Sequence, residues 1–211
     1  MVKLPLGVDI HNLIDDLRVW SWEAADILLF YSKILRDNGK KIIKSNKDED
    51  PVTIADIKVN DLIIQRIQSQ YRSTEWEILS EENSKIDSFN INVNADWLWV
   101  LDPLDGTKDF IQGTGNYAMH LALNYKQKPL LGVVLIPEKD ELWISDGENA
   151  WCESRNGSKK NFKLSKLREL KDLTIVTSKN HNNSTLKNLL EKINFKKVMV
   201  MGSIGCKVAS I

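Results

Sequence analysis

Cysteine is scarce in this chain. Among 211 residues only Cys152 and Cys206 are cysteines, they lie far apart, and they form no C-x-x-C pair. A disulfide framework is therefore not expected, and a reduced, cytoplasmic setting fits this usage. The three histidines, His11, His120 and His181, show no zinc-ligand spacing. Charge of one sign is not in excess: Lys+Arg and Asp+Glu number 29 each. No global basic field thus points to a nucleic-acid polymer or an anionic membrane. No apolar run approaches the length that spans a bilayer. The start, Met1-Val2-Lys3-Leu4-Pro5, lacks the charged-then-apolar pattern of a secretory signal. There is no internal repeat and no low-complexity tract. These absences leave one large domain, or a domain and a half, with room for a substantial core.

What is present centres on Asp102-Pro103-Leu104-Asp105-Gly106-Thr107-Lys108-Asp109-Phe110. An apolar run, Trp97 to Leu101, precedes it and reads as a buried strand. Pro103 biases Asp102 away from helix, so Asp102 should still be extended. Asp105-Gly106 reads as a tight turn. Two carboxylates three residues apart, across a proline turn, can converge on one point. Gly106-Thr107 can open a short helix whose free N–H groups attract an anion such as phosphate. Carboxylates beside a phosphate seat repel it unless a cation lies between. The stretch asks for a hard, oxygen-liking ion, Mg²⁺ before Zn²⁺. A bare D-x-x-D-G is as readily a surface turn; the full nine-residue string is far more specific.

Around this centre the chain reads in order. Apolar residues from Ile10 to Leu35 keep helical spacing, and Asn38-Gly39 stops that helix. Lys40 to Asp50 is polar, a loop or short ribbon. Thr53 and Asp56 read as an N-cap and a first-turn acid of a helix reaching about Tyr71. Glu77 to Asn83 is a short strand running into adjacent acids, Glu81 and Glu82. Taken alone, Asp56 is a helix-dipole acid and Glu81-Glu82 a solvated pair. Ser84 to Ala95 reads as an exposed connection. Beyond Phe110, strands over Tyr117–Tyr125, Leu130–Ile136, Leu142–Ile144 and Ala150–Cys152 are joined by short turns, the first at Gln127-Lys128-Pro129. They make an antiparallel sheet behind the site. His120 reads as a satisfied core or edge histidine. Arg155 to Lys160 is a basic, solvated turn. A second βα pattern follows: a strand from Leu173, a loop over Ser178 to His181, a helix over Leu186–Ile193, and a strand over Lys197–Met201. That strand leads into Gly202-Ser203-Ile204-Gly205-Cys206-Lys207 and a helix opening, an arrangement friendly to phosphate.

The string Asp102 to Phe110 closely resembles the first metal motif of the inositol monophosphatase superfamily of Mg²⁺-dependent, lithium-sensitive phosphatases. Its Lys108-Asp109-Phe110-Ile111 ending is more like the 3′(2′),5′-bisphosphate nucleotidase branch than the inositol branch. The resemblance extends to Pro51-x-Thr53-x-Ala55-Asp56 and to the strand before Glu81-Glu82. It implies a layered αβαβα sandwich, the α/β (α+β) sugar-phosphatase fold. The resemblance implies a metal-binding lobe over residues 1–152 and the incomplete start of a second lobe over 153–211, together one domain. It implies two or more Mg²⁺ ions held by Glu81, Asp102, Asp105 and the carbonyl of Leu104, with Glu82 secondary. Thr107, backed by Asp56, would position and help deprotonate the attacking water. The Gly106-Thr107 amides and Lys108 would hold the phosphate ester, and Ser178, His181, Ser203 and Lys207 the nucleotide. The implied partner is a small phosphate ester, with a nucleotide bisphosphate favoured, for a monomer or homodimer. The implied reaction removes the 3′-phosphate of 3′-phosphoadenosine 5′-phosphate. An inositol or sugar monophosphatase, or a non-catalytic remnant, stays open. The remnant reading arises because relatives carry a later Trp-Asp-x-Ala-Ala motif whose Asp completes the metal site, and no such motif occurs here. The chain is accordingly expected to be a truncated or shortened relative that exposes an apolar surface near its end.

Overall fold

A computed structural model of the protein describes residues 4–5, 7–38, 43–44, 52–84, 91–160, 166–167, 169–178 and 184–210. Helix α1 spans Ile10–Asn38. Asp9 starts it by accepting the His11 and Asn12 amides on Oδ1 at 2.9 and 3.0 Å. Leu13, Leu17, Trp20, Ala24, Leu28 and Leu35 form its buried stripe, as the 3.6-residue period requires. Of the predicted loop after it, only Ile43–Lys44 (β1) is described, paired antiparallel with Val52–Thr53 (β2). Gly39, most of Lys40–Asp50 and Pro51 lie outside the described residues. Helix α2 follows at once, over Ile54–Gln70, burying Ala55, Asp56, Val59, Asn60, Ile63 and Ile67.

Strand β3 spans Glu77–Ser80 and gives way to a one-turn helix, α3, over Glu81–Ser84. The two acids that were read as a solvated pair at the end of the strand therefore open a helical turn. Ser80 is the cause: its hydroxyl accepts the Asn83 amide at 3.2 Å and also bonds Asn60 on α2. Strand β4, Trp97–Asp105, continues through the proline to the second aspartate. Helix α4 spans Thr107–Gln112. Strands β5 (Ala118–Tyr125), β6 (Lys128–Ile136), β7 (Glu141–Ser145), β8 (Ala150–Glu153) and β9 (Lys159–Lys160) complete one sheet. Its order is β3-β4-β5-β6-β7-β8-β9. β3 and β4 are parallel and every later pair is antiparallel.

Two local readings need correction. The β5–β6 hairpin turns at Lys126 and Gln127, both at positive φ, and Pro129 lies inside β6 opposite Asn124 at a register shift. A two-residue turn with both φ values positive matches the strand twist, and a bulge tolerates the missing proline donor. The expected basic turn ends in a short strand, β9.

The two faces of the sheet have different covers. Met119, Leu121, Leu123, Leu131, Val133 and Leu135 share one core with α1 and α2. Their strand neighbours Ala118, Val134 and Ile136 point the other way and pack against Cys206, Met201 and Ala209, as strand alternation dictates. Those partners come from the second βα unit. It comprises β10 (Thr174–Ser178), α5 (Ser184–Lys192), β11 (Lys197–Met201) and α6 (Ile204–Ala209). β10 and β11 pair in parallel. Helix, sheet and helix thus stack in layers, an α/β architecture. The surface beside α6 is apolar and open: Val198, Val200, Ile204 and Val208 are 46, 50, 59 and 65% exposed. Among the described residues no helix is long and apolar enough to cross a membrane.

Candidate active site

The site is built at the end of β4. Along this strand Asp102 pairs with His120 and Asp105 with Ala118, so three steps on β4 face two on β5. In a regular strand residues three apart point to opposite faces. The extra residue, at Pro103-Leu104, is a bulge that returns Asp105 to the face of Asp102. The shared face expected from a turn is thus produced by a bulge within the strand. Pro103 and Leu104 are buried, while Asp102 and Asp105 are half-buried.

The backbone then folds back on itself. The Leu104 amide donates to Asp102 Oδ1 at 3.2 Å, and the Thr107 hydroxyl donates to the Leu104 carbonyl at 3.0 Å. Gly106 has φ +89, and a Cβ there would stand 2.8 Å from the Asn116 carbonyl oxygen. Only glycine takes this left-handed corner without penalty, and α4 starts immediately after it. Phe110 on α4 is fully buried against Tyr117, centroids 4.8 Å apart and nearly perpendicular. That contact pins the short helix to the residue that leads into β5.

Glu81 reaches the same end of the sheet by strand pairing. Ser80 lies beside Leu101 in the parallel β3–β4 ladder, so Glu81 follows where Asp102 follows. Asp56 is 4% exposed in the first turn of α2. Lys108 is exposed. Asp109 is different from what its place beside Lys108 implied. It is 2% exposed and accepts the Thr114 hydroxyl on Oδ1 at 2.7 Å. Its other oxygen lies where a Cβ on Gly202 would be, 1.7 Å away. It braces two loops and does not face a substrate.

The second βα unit meets the site through Gly202-Ser203. Ser178 pairs with Met201 across β10 and β11, so the end of β10 comes to the start of that segment. His181 lies outside the described residues. Lys207 is half-buried on α6. Ser203 is fully buried, and its hydroxyl donates to Asp105 Oδ2 at 2.5 Å. His120 is not the satisfied histidine expected. Its Nε2 is buried 3.3 Å from Asp105 Oδ2, without hydrogen-bond direction, and has no other partner among the described residues. Burial holds its pKa below 6.5, with the Asp105 charge opposing. Gly205 and His120 carried no motif signal, because only the β4–β5 register and the docking of α6 bring them here; Thr114 reaches Asp109 through the local turn that ends α4.

The donors at this end are hard oxygens: the carboxylates of Glu81, Asp102 and Asp105 and the Leu104 carbonyl. That chemistry suits Mg²⁺. Among the described residues no three His, Cys, Asp or Glu side chains are gathered closely enough to hold an ion, so Glu81 and its neighbours would have to turn inward to do so.

Residues 16–211 match the inositol monophosphatase family. The chain belongs to that family. It is 35% identical over 170 residues to the 3′(2′),5′-bisphosphate nucleotidase CysQ of Buchnera aphidicola subsp. Acyrthosiphon pisum (strain APS), covering 79% of this chain and 61% of that protein. Against the nucleotidase CysQ of Escherichia coli (strain K12) the identity is 31% over 161 residues, covering 76% and 62%. The match thus spans about three-fifths of the length of these relatives. Among solved structures, the Thermotoga maritima IMPase is similar with a TM-score of 0.70 at 24% identity, over 91% of this chain and 69% of that one. An IMPase/NADP phosphatase complexed with NADP and Ca²⁺ gives 0.74 at 19%, over 97% and 72%. These two likenesses establish the layered fold.

Proposed function

We propose that the protein is a Mg²⁺-dependent phosphate monoester hydrolase whose substrate is the 3′-phosphate of 3′-phosphoadenosine 5′-phosphate. The observation that carries this reading is the bulge that sets Asp102 and Asp105 on one face, directly before a left-handed glycine and a helix start. The bisphosphate nucleotidase relatives and the exposed Lys108 favour the nucleotide over inositol phosphate. Glu81, Asp102, Asp105 and the Leu104 carbonyl would hold Mg²⁺, which supplies charge neutralisation at the phosphate and a more acidic water. The chain's own groups do the rest. The Thr107 hydroxyl spends its proton on the Leu104 carbonyl, so its lone pairs are left to accept a hydrogen bond from the attacking water. That acceptance aims a water lone pair at the phosphorus. Asp56, buried in the first turn of α2, would take the water's proton through Thr107 only once its carboxylate replaces the Leu104 carbonyl as acceptor of the Thr107 hydroxyl. The Gly106 and Thr107 amides and exposed Lys108 would meet the phosphate oxygens. Ser178, His181 and Lys207 would approach the nucleoside.

The test is free-phosphate release from 3′-phosphoadenosine 5′-phosphate and inositol 1-phosphate, each with Mg²⁺ and with excess chelator. We expect Mg²⁺-dependent release, faster from the nucleotide and inhibited by lithium. Undiminished turnover in chelator would overturn the metal dependence, and faster inositol phosphate hydrolysis would overturn the substrate. No release from either would leave a metal- or nucleotide-binding protein in place of an enzyme.

A further inference from the structure

The first turn of α6 rests on the acids of the β4–α4 string. One oxygen of Asp105, Oδ2, takes the Ser203 hydroxyl at 2.5 Å and the Gly205 amide at 3.0 Å. The Ser203 hydroxyl simultaneously accepts the Cys206 amide at 3.1 Å. Its single proton is therefore committed to Asp105 while a lone pair caps the helix. Asp105 Oδ1 takes no hydrogen bond from any described residue.

Two glycines make this approach possible. A Cβ on Gly205 would stand 2.3 Å from His120 Nε2, 2.9 Å from Val134 Cγ1 and 3.1 Å from Ala118 Cβ. A Cβ on Gly202 would overlap the Asp109 carboxylate. Any larger residue at either position lifts α6 away from β5 and takes the Ser203 and Gly205 donors out of reach. Ser203 itself is fully buried, with no path to a substrate in this arrangement.

We infer that Ser203 and the Gly205 amide form a clamp that anchors one oxygen of Asp105 and presents the other to the cation. Ser203 is then a positioning residue of the metal site and not a substrate contact. The inference rests on the reading of Asp105 as a Mg²⁺ ligand. A partner that orients a ligating carboxylate typically accounts for about 10–100-fold in metal affinity.

The experiment is a Mg²⁺ titration of the whole chain by calorimetry, with amide NMR of Gly205 followed in parallel. The variants are Ser203→Ala, Ser203→Thr and Asp105→Asn. In the wild type, the Gly205 amide resonance should move with the calorimetric midpoint, because that proton sits on the carboxylate that takes the ion. Ser203→Ala should weaken binding roughly 10-fold or more, and Ser203→Thr, which keeps the hydroxyl, should restore most of it. A residue that merely caps α6 would lower the melting temperature without moving the Mg²⁺ affinity. Wild-type affinity in Ser203→Ala overturns the clamp. Should that variant not fold, a Gly205 amide indifferent to Mg²⁺ in the wild type overturns it equally. If Asp105→Asn binds Mg²⁺ like the wild type, the ligand reading of Asp105 fails first, and the clamp with it.

Discussion

Gly106→Ala and Gly157→Ala separate two costs that coincide at the site. Both glycines have positive φ, +89 and +81, and an L-residue in that region costs about 1–2 kcal/mol. Gly157 lies in an exposed turn, and a Cβ there meets nothing within 4 Å. Its substitution should therefore cost the conformational penalty alone. At Gly106 the new carbon would sit 2.8 Å from a backbone oxygen, that of Asn116, and 3.1 Å from Ser203 Cβ. A backbone oxygen cannot rotate away as a side chain can. Overpacking of this kind adds about 1–3 kcal/mol. The two variants should thus differ by about 2 kcal/mol. At about 2–4 °C per kcal/mol for a domain this size, Gly106→Ala should melt about 4–8 °C below Gly157→Ala. Thermal unfolding followed by circular dichroism reads this directly. Melting temperatures within 2 °C of each other would refute the claim that α4, Asn116 and the Gly-Ser segment are packed tightly around this corner.

Other outcomes follow from the same geometry. Asp105→Asn should abolish Mg²⁺-dependent phosphate release while leaving the circular dichroism spectrum unchanged; near-normal turnover would show that Asp105 is no ligand. Asp109→Leu should lower stability by about 1–3 kcal/mol, since it strips a partner from Thr114 in the interior; Lys108→Thr, at an exposed position, should leave the melting temperature unchanged and reduce turnover of the nucleotide more than of inositol 1-phosphate. Glu138 gathers Ser32, Arg36 and Tyr117 on one oxygen at 3.0, 2.7 and 3.1 Å. Burial raises its pKa, but those three partners outweigh it and hold the group below 4.5. Its contribution is therefore complete above that value and lost as pH falls through the folded pKa, so the gap in melting temperature between wild type and Glu138→Gln should close as pH drops from about 5 to about 3. Ile204→Lys with Val208→Lys should reduce binding of an apolar dye, because both side chains lie on the open apolar face beside α6; unchanged dye binding would place the exposed surface elsewhere.

Local pattern alone was enough for the long elements. The stripe from Leu13 to Leu35 dictates α1, because a 3.6-residue period has one way to bury its apolar face. The motif string likewise located the candidate site, since Asp, Pro and Gly at fixed offsets restrict the backbone directly. Other features were decided only by the fold. The bulge at Pro103-Leu104 exists because β5 supplies one residue fewer opposite β4, and the sequence of β4 does not contain β5's register. Asp109 looked like Lys108's partner in specificity, yet helical geometry at α4 turns one into the core and the other to solvent. Ser203 read as a phosphate-friendly residue from its Gly-Ser context. It became a carboxylate donor because α6, almost 100 residues later in the chain, docks on the far face of the sheet. Residue type and spacing along the chain determine which chemistry is available; strand register and helix docking determine which of those groups meet, because both depend on packing between segments distant in sequence.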